Sequence, residues 1–249
     1  MTERAGAKVV VVMPARNAAS TLRQTFSAIP RDWVDEIVLV DDGSTDGTVD
    51  LARELPIKTI WHPHNVGYGG NQKTCYLEAL QQDADVVVML HPDGQYPPTV
   101  IPSLVEPIVA GKADVMLGSR MAERGAARAG GMPAHKRLAN RGLTAIENRI
   151  LGTDLSELHT GYRAFSREVL LTVPFLRNSL DFAFDSEMLM QAAHFGFRLG
   201  EVPVRTRYFD EASSVSIGPA TVYAFKTLWF GARLILHRRG VLRSRKLQP

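Results

Sequence analysis

The 249-residue sequence holds a single cysteine, Cys75, which excludes an internal disulfide framework and suits a reducing compartment. No apolar run approaches the roughly 20 residues of a membrane-spanning helix, and the first residues lack the apolar core of a signal peptide. A cytoplasmic location is expected. Acidic residues are absent after Glu211, whereas Lys226, Arg233, Arg238, Arg239, Arg243, Arg245 and Lys246 follow. The formal charge is only +3, but a cationic end points to an anionic partner, either a membrane surface or nucleic acid. No aromatic-interleaved basic patch accompanies it, which argues against nucleic acid. There is no internal repeat, no Ser/His/Asp triad and no nucleophile elbow. Gly67-Tyr-Gly-Gly70 lacks the Gly-Lys-Ser/Thr ending of a phosphate loop. Pro14-Ala-Arg-Asn17, where a dinucleotide fingerprint would fall, contains no glycine.

What is present reads as one α/β chain of ordinary globular composition, 45% apolar and 22% charged. Its centre is Val86-Val-Val-Met-Leu90, an apolar run expected to form a strand buried on both faces. Pro92 punctuates it. Lys8–Met13, Glu36–Val40, Ile57–Trp61 and Asp114–Leu117 read as further strands, separated by helical stretches 18–29, 49–55, 71–82 and 99–110. This alternation predicts a Rossmann-like, mostly parallel sheet flanked by helices, with right-handed crossovers. Residues 121–133 read as a loop rich in Gly, Ala and Arg. Helix 135–151, a short strand 160–165, helix 185–195 ended by Gly196, strand 201–208 and an amphipathic helix 221–237 follow. The division expected is 1–120 as a nucleotide half, 121–220 as an acceptor half, and 221–249 as amphipathic helix and basic tail.

In an open α/β sheet ligands bind at the carboxyl ends of the strands. Four polar segments fall there: Pro14-Ala15-Arg16-Asn17, Asp41-Asp42, His91 to Gln95, and Gly118-Ser-Arg120. His91, Asp93 and Gln95 could supply a divalent cation with ligands, and such an ion would carry a diphosphate. A solvated polar turn is the plainer alternative. Asp41-Asp42 could accept hydrogen bonds from a nucleobase or ribose, or merely shape the turn. Lys73, near a helix start, could meet an anion. Arg163, between aromatic neighbours, needs a partner, and a phosphate would serve. His159 and the His62/His64 pair read as packing and turn residues.

Several motifs, in order over about four-fifths of the chain, carry a resemblance. They are Pro14-Ala-Arg-Asn17, Val40-Asp-Asp-Gly-Ser-Thr-Asp-Gly-Thr48, Asp93-Gly-Gln-Tyr-Pro-Pro98, Gly118-Ser-Arg120, Gly161-Tyr-Arg-Ala-Phe-Ser-Arg167, and Glu187 with Glu201-Val-Pro203. The chain resembles family 2 glycosyltransferases of the GT-A fold, most closely the dolichyl- and polyprenyl-phosphate mannosyltransferase group. The resemblance implies an inverting, metal-dependent transfer of a hexose, mannose or glucose, from a GDP- or UDP-sugar to a polyprenyl phosphate. It implies a nucleotide-sugar pocket lined by Pro14, Ala15, Arg16, Asn17, Asp41, Asp42, Lys73, His91 and Arg207. Asp93 and Gln95, with His91, would hold Mg²⁺ or Mn²⁺, and Arg120 would face the sugar or its phosphates. The chain departs from the group's Asp-x-Asp-x-Gln at His91; an imidazole could ligate Mn²⁺, or water could fill the position. It also lacks a lysine near Ser213-Ser214-Val215, for which Arg205 or Arg207 could substitute.

The acceptor sets the remaining chemistry. A hydroxyl needs a general base, for which Asp185 or Glu187 is placed; Glu187 could equally stabilise its helix start. A lipid phosphate is already ionised, since its second pKa lies near ~6, and Arg163 with Arg167 or Arg207 would position it. The candidate catalytic set is thus Asp93, Arg120, Arg163 and Glu187. Trp229, Phe230, Leu234, Ile235 and Leu236 with a basic flank read as an interfacial anchor on the inner face of the membrane, or as a core-covering helix. A saccharide or small hydroxyl acceptor, or a non-catalytic nucleotide-sugar binder, are the alternative functions. A homo-oligomer stays open.

Overall fold

The computed structural model describes residues 6–206 and 217–248. The elements, in chain order, are β1 (Val9–Ala15), α1 (Ala19–Ser27), β2 (Glu36–Asp41), α2 (Thr48–Arg53), β3 (Lys58–Trp61), α3 (Tyr68–Gln81), β4 (Val86–Met89), α4 (Ile101–Val109), β5 (Val115–Ser119), α5 (Ala126–Ala129), α6 (Ala134–Leu151), β6 (Arg163–Ser166), α7 (Arg167–Thr172), α8 (Ala183–His194), β7 (Leu199–Pro203) and α9 (Ile217–Arg238). The strands form one seven-stranded sheet in the order β3-β2-β1-β4-β6-β5-β7. All neighbours are parallel except β6, which runs antiparallel to both β4 and β5. Strands of both halves of the chain thus share one sheet.

The valine runs follow from burial on two sides. Val9, Val11 and Met13 of β1 face one apolar layer with Leu22, Leu39, Leu104 and Val105. Val10 and Val12 face another with Tyr76, Phe165, Phe184 and Met188. Neither face meets water, so β-branched residues occupy consecutive positions instead of alternating with polar ones.

One proline shapes the functional rim. β1 does not stop before Pro14: Pro14 pairs with Val40 of β2 and Ala15 with Asp41. Toward β4, Leu90 N donates to Val12 O at 3.0 Å. The next rung would need an N–H from Pro14, which has none. β4 pairing therefore ends, and the chain from His91 onward leaves the sheet plane. The antiparallel β6 adds a second consequence. Arg163 pairs with Met89, and Ser166 with Val86. The segment entering β6, residues 159–162, therefore lies at the same rim as the ends of β1, β2 and β4, while Arg167 leaves at the opposite edge.

Local chemistry explains the other departures from expectation. The third helix begins at Tyr68, not Asn71, because Gly67 (φ 91°) turns the chain into it. A Cβ at Gly67 would lie 2.5 Å from Leu180 O, and one at Gly69 2.3 Å from Ser179 O. The glycine run thus lets α3 approach the segment before α8, the close-passage reading of these glycines. The loop 121–133 contains the short helix α5.

Candidate active site

The loops after β1 and β2 are locked together. Asn17, at φ 51°, donates from its N to Ser44 Oγ at 2.8 Å and accepts from Thr45 N at 2.9 Å. Ala18 N donates to Thr48 Oγ1 at 2.8 Å. Asp41 accepts from Ser44 N at 2.9 Å and from the Ser44 hydroxyl; this buried carboxylate shapes the turn and does not line the cleft. Asp42 does line it. Its carboxylate accepts from Val66 N at 2.7 Å and Gly67 N at 3.2 Å, with His62 Nδ1 at 3.2 Å. The two adjacent acids avoid a costly repulsion by facing different donors.

A cleft with two lobes runs along this rim. The larger, about 540 Å³, is lined by Pro14, Ala15, Arg16, Asn17, Asp42 and Asn71 among others. The smaller, about 220 Å³, includes Gln95, Arg120, His159, Arg163, Asp185 and Tyr223. Tyr68, His91, Asp93 and Phe182 belong to both walls, so Asp93 sits where the lobes meet. Asp42, Asp93 and Arg120 therefore open on one continuous cleft.

The two arginines of the smaller lobe are each held by a buried carboxylate. Arg120 donates from Nε to Glu157 Oε1 at 2.9 Å and from Nη2 to His159 O at 2.6 Å. Glu157, fully buried, also takes Asn140 Nδ2 at 2.7 Å. Arg163 is 1% exposed. Its Nη1 lies 3.1 Å from Asp185 Oδ1, and it donates to Thr160 O at 2.7 Å, Asp185 O at 3.1 Å and Leu158 O at 3.3 Å. Burial alone would lower its pKa; the Asp185 charge reverses this and raises it. Asp185 also accepts from Tyr68 Oη at 2.8 Å and Gln72 Nε2 at 3.1 Å. The carboxylate expected as a base for a hydroxyl acceptor is thus committed to three donors. Burial lowers the pKa of His91, partly offset by the Asp93 charge, so its imidazole is held neutral.

Other expected residues lie elsewhere. Lys73 points away from both lobes and donates to Asn178 O at 2.5 Å; burial lowers its pKa. Glu187, expected in the catalytic set, is outside the cleft. It accepts from Ser179 N at 2.7 Å, Ser179 Oγ at 2.9 Å and Lys246 Nζ at 2.7 Å, and so anchors the C-terminal tail on α8. Arg167 is at the far sheet edge, donating to Leu80 O and Ala84 O, and cannot join Arg163 on a phosphate. Arg207 and Ser213-Ser214-Val215 lie outside the described residues; Arg205 pairs with Glu123 at 2.8 Å. Sequence reading missed Tyr68, Glu157 and Tyr223, and took His159 for packing alone. His159 joins the smaller lobe, with Nδ1 2.6 Å from Tyr223 Oη and Nε2 2.7 Å from Glu147 Oε2.

The helix α9 is two-faced. Phe230 and Leu234 pack with Met190 and Leu247, so these two are core and not anchor. Lys226 pairs with Asp181, Arg233 donates to Ser244 Oγ, and His237 meets Leu242 O; this side is engaged with protein. Val222, Phe225, Trp229 and Leu236 form an exposed apolar stripe, with Phe225 69% and Trp229 58% exposed. Among the described residues no helix is long and apolar enough to cross a membrane.

The sequence model of glycosyl transferase family 2 matches residues 10–173, the stretch that supplies β1 through β6 and most of the larger lobe, while Phe182, Asp185 and Tyr223 complete the lining from beyond it. The chain belongs to this family. This glycosyltransferase is 26% identical over 249 residues to the UDP-N-acetylglucosamine–dolichyl-phosphate N-acetylglucosaminyltransferase of Methanococcus voltae, covering 93% of this chain and 96% of that one. It is 28% identical over 255 residues to the polyprenol monophosphomannose synthase of Mycolicibacterium smegmatis, covering 97% and 94%. Its fold matches the crystal structure of glucosyl-3-phosphoglycerate synthase from Mycobacterium tuberculosis, solved with Mn²⁺, UDP and phosphoglyceric acid. That match has a TM-score of 0.70 at 21% identity, covering 97% of this chain and 81% of that one. The GT-A architecture expected from the motifs is the observed one.

Proposed function

We propose that the protein transfers a hexose, with inversion, from a nucleoside diphosphate sugar to a polyprenyl phosphate at the membrane surface. The observation that carries this reading is the position of Asp93 at the junction of the two lobes. The larger lobe takes the nucleotide: Pro14 to Asn17 and Asp42 border the base and ribose. The smaller takes sugar and acceptor.

The donor set at the junction suits a hard divalent cation. Among the described residues no three His, Cys, Asp or Glu side chains form a metal cluster. A cation that shares substrate diphosphate oxygens and waters needs only one or two protein carboxylates; Asp93, the Gln95 carbonyl and His91 would hold it. Asp93 Oδ1 is already turned back on Gln95 N at 3.0 Å, which brings both residues into one turn. When bound, the ion would neutralise charge developing on the leaving diphosphate. Arg120 presents its guanidinium to the same lobe.

The phosphate acceptor is favoured because, among the described residues, neither carboxylate expected as a base is poised for that role. Asp185 is tied to Arg163, Tyr68 and Gln72, and Glu187 is remote. An acceptor that arrives ionised requires no proton removal. The names of the relatives that use dolichyl phosphate and polyprenol support the same choice. The apolar stripe of α9 would rest in the headgroup boundary while Tyr223 of the same helix borders the acceptor lobe. This reading places the protein at the membrane surface, with the cytoplasmic inner face as the proposed location.

The test is turnover across UDP- and GDP-hexoses with a polyprenyl phosphate, for wild type and Asp93→Ala. Metal-dependent transfer in the wild type and none in the variant is expected; full activity in the variant would reject the assignment. Transfer to a free saccharide in preference to the lipid phosphate would support the hydroxyl-acceptor alternative. Donor binding without any turnover would leave only the non-catalytic one.

A further inference from the structure

A positioning device stands behind His91, the first residue past the end of β4 pairing. Tyr68 Oη lies 2.8 Å from Asp185 Oδ2 and 3.3 Å from His91 Nε2. A phenol has one proton to donate. Asp185 is an acceptor toward all its partners: Gln72 Nε2 and Arg163 Nη1 both reach its Oδ1 at 3.1 Å. The Tyr68 proton therefore goes to Asp185, and the Tyr68 oxygen accepts at the His91 contact. The proton on His91 must then sit on Nε2, which leaves the lone pair on Nδ1.

Packing fixes which way that lone pair can face. A Cβ on Gly161 would lie 3.1 Å from His91 Cδ2 and 3.2 Å from Nε2. The Cδ2–Nε2 edge thus lies against the bare backbone of Gly161, and the Tyr68 ring stacks alongside at 5.6 Å between centroids, 9° from parallel. Nδ1 is on the opposite edge of the ring from Gly161, in a residue that lines both lobes together with Asp93.

We infer that Tyr68, backed by Asp185 and Arg163, fixes His91 as an Nδ1 ligand, so that the cation site beside Asp93 is a mixed nitrogen–oxygen site that prefers Mn²⁺ to Mg²⁺. The preference follows from the reluctance of Mg²⁺: it keeps its waters and binds through oxygen in a tight octahedron, so an imidazole nitrogen in its shell costs it more than it costs the larger, more polarisable Mn²⁺. The outer hydrogen bond matters because partners that set a histidine tautomer carry about 10- to 100-fold in metal affinity. Tyr68 is in this sense a positioning residue. The inference rests on the cation reading of the Asp93 junction, and the experiment separates the two.

Mn²⁺ and Mg²⁺ binding to the full chain is measured by calorimetry with UDP present, alongside electron spin-echo detection of nitrogen coupled to bound Mn²⁺. Wild type, Tyr68→Phe, Gly161→Ala, His91→Asp and Asp93→Asn are compared, each checked by thermal melting. The wild type is expected to show nitrogen coupling and tighter Mn²⁺ than Mg²⁺ binding. Tyr68→Phe should weaken Mn²⁺ about 10-fold or more while changing Mg²⁺ little. Gly161→Ala removes no polar group but pushes the ring, and should do the same if Tyr68→Phe fails to fold. His91→Asp should abolish the nitrogen signal and, by supplying a second carboxylate, improve Mg²⁺ binding relative to Mn²⁺. Wild-type Mn²⁺ without nitrogen coupling, but lost in Asp93→Asn, would overturn this inference and leave the cation reading standing. Unchanged Mn²⁺ binding in Asp93→Asn would overturn both.

Discussion

Replacing Asp185 by Leu is the sharpest perturbation of the cleft floor. Arg163 is 1% exposed, and among the described residues Asp185 is the carboxylate paired with it, at 3.1 Å. Removing one member of a buried pair strands the other charge, at a cost of about 3–5 kcal/mol. The substitution also orphans Tyr68 Oη and Gln72 Nε2, which donate to the same carboxylate, so the upper end of that range is expected. For a chain of this length each kcal/mol lowers the melting temperature by about 2–4 °C, giving a fall of about 10–20 °C for a loss near 5 kcal/mol. Arg163→Met/Asp185→Leu removes the stranded charge, leaving the carbonyls of Thr160 and Leu158 short of a donor. The double variant should therefore be more stable than Asp185→Leu alone. A double-mutant cycle from denaturant titrations isolates the coupling, expected at about 1–3 kcal/mol in favour of the pair. Additive losses, or a loss under about 1 kcal/mol for Asp185→Leu, would show that Arg163 is held by its carbonyls alone. The idea that Asp185 is occupied structurally would then be lost.

Three further outcomes follow from the placement of single residues. Glu187→Gln weakens the contacts to Ser179 and Lys246; a loss of about 1–3 kcal/mol and faster proteolysis of the C-terminal tail are expected, with kcat unchanged, whereas a collapse of kcat alone would restore Glu187 to the catalytic set. The pKa of His194 is lowered below 6.5 by burial and by the nearby Arg238. The unfolded chain thus takes up a proton near pH 6.5 that the folded chain refuses until lower pH, so stability falls as pH drops through 6.5; His194→Gln should flatten the melting curve between pH 7 and 5, and an unchanged slope would contradict this. Phe225→Ser/Trp229→Ser removes the centre of the exposed α9 stripe and should reduce sedimentation with anionic vesicles while leaving the melting temperature within a few degrees; equal sedimentation would reject the membrane-facing role.

Much of the architecture was legible because burial on both sheet faces writes itself as valine runs, and because parallel strands deliver their ends to one rim. The first strand reads as Lys8–Met13, ending before Pro14, yet Pro14 acts on its neighbour: it ends β4 pairing, not β1. The four-residue β6 carries no alternation that reveals its direction, so the sequence did not separate Arg163, at the rim, from Arg167, at the far edge. Pairings that cross long stretches of chain were equally hidden. Glu157 reaches Arg120 across 37 residues, and Tyr68 reaches Asp185 across 117; neither separation leaves a local pattern. Lys73 and Glu187 fell where helix starts suggested anions and bases, but Asn178 and Ser179 before α8, and Lys246 of the tail, claimed them. In α9 the apolar residues were visible, whereas their division into a buried pair and an exposed stripe required the neighbouring helices.

The most direct measurement is a crystal structure of the protein with UDP and Mn²⁺. The base and ribose should lie in the lobe bordered by Arg16 and Asp42, with the diphosphate reaching the ion at Asp93. A nucleotide bound on another face, or one whose diphosphate leaves Asp93 untouched, would contradict the claim that this junction is where the sugar is released.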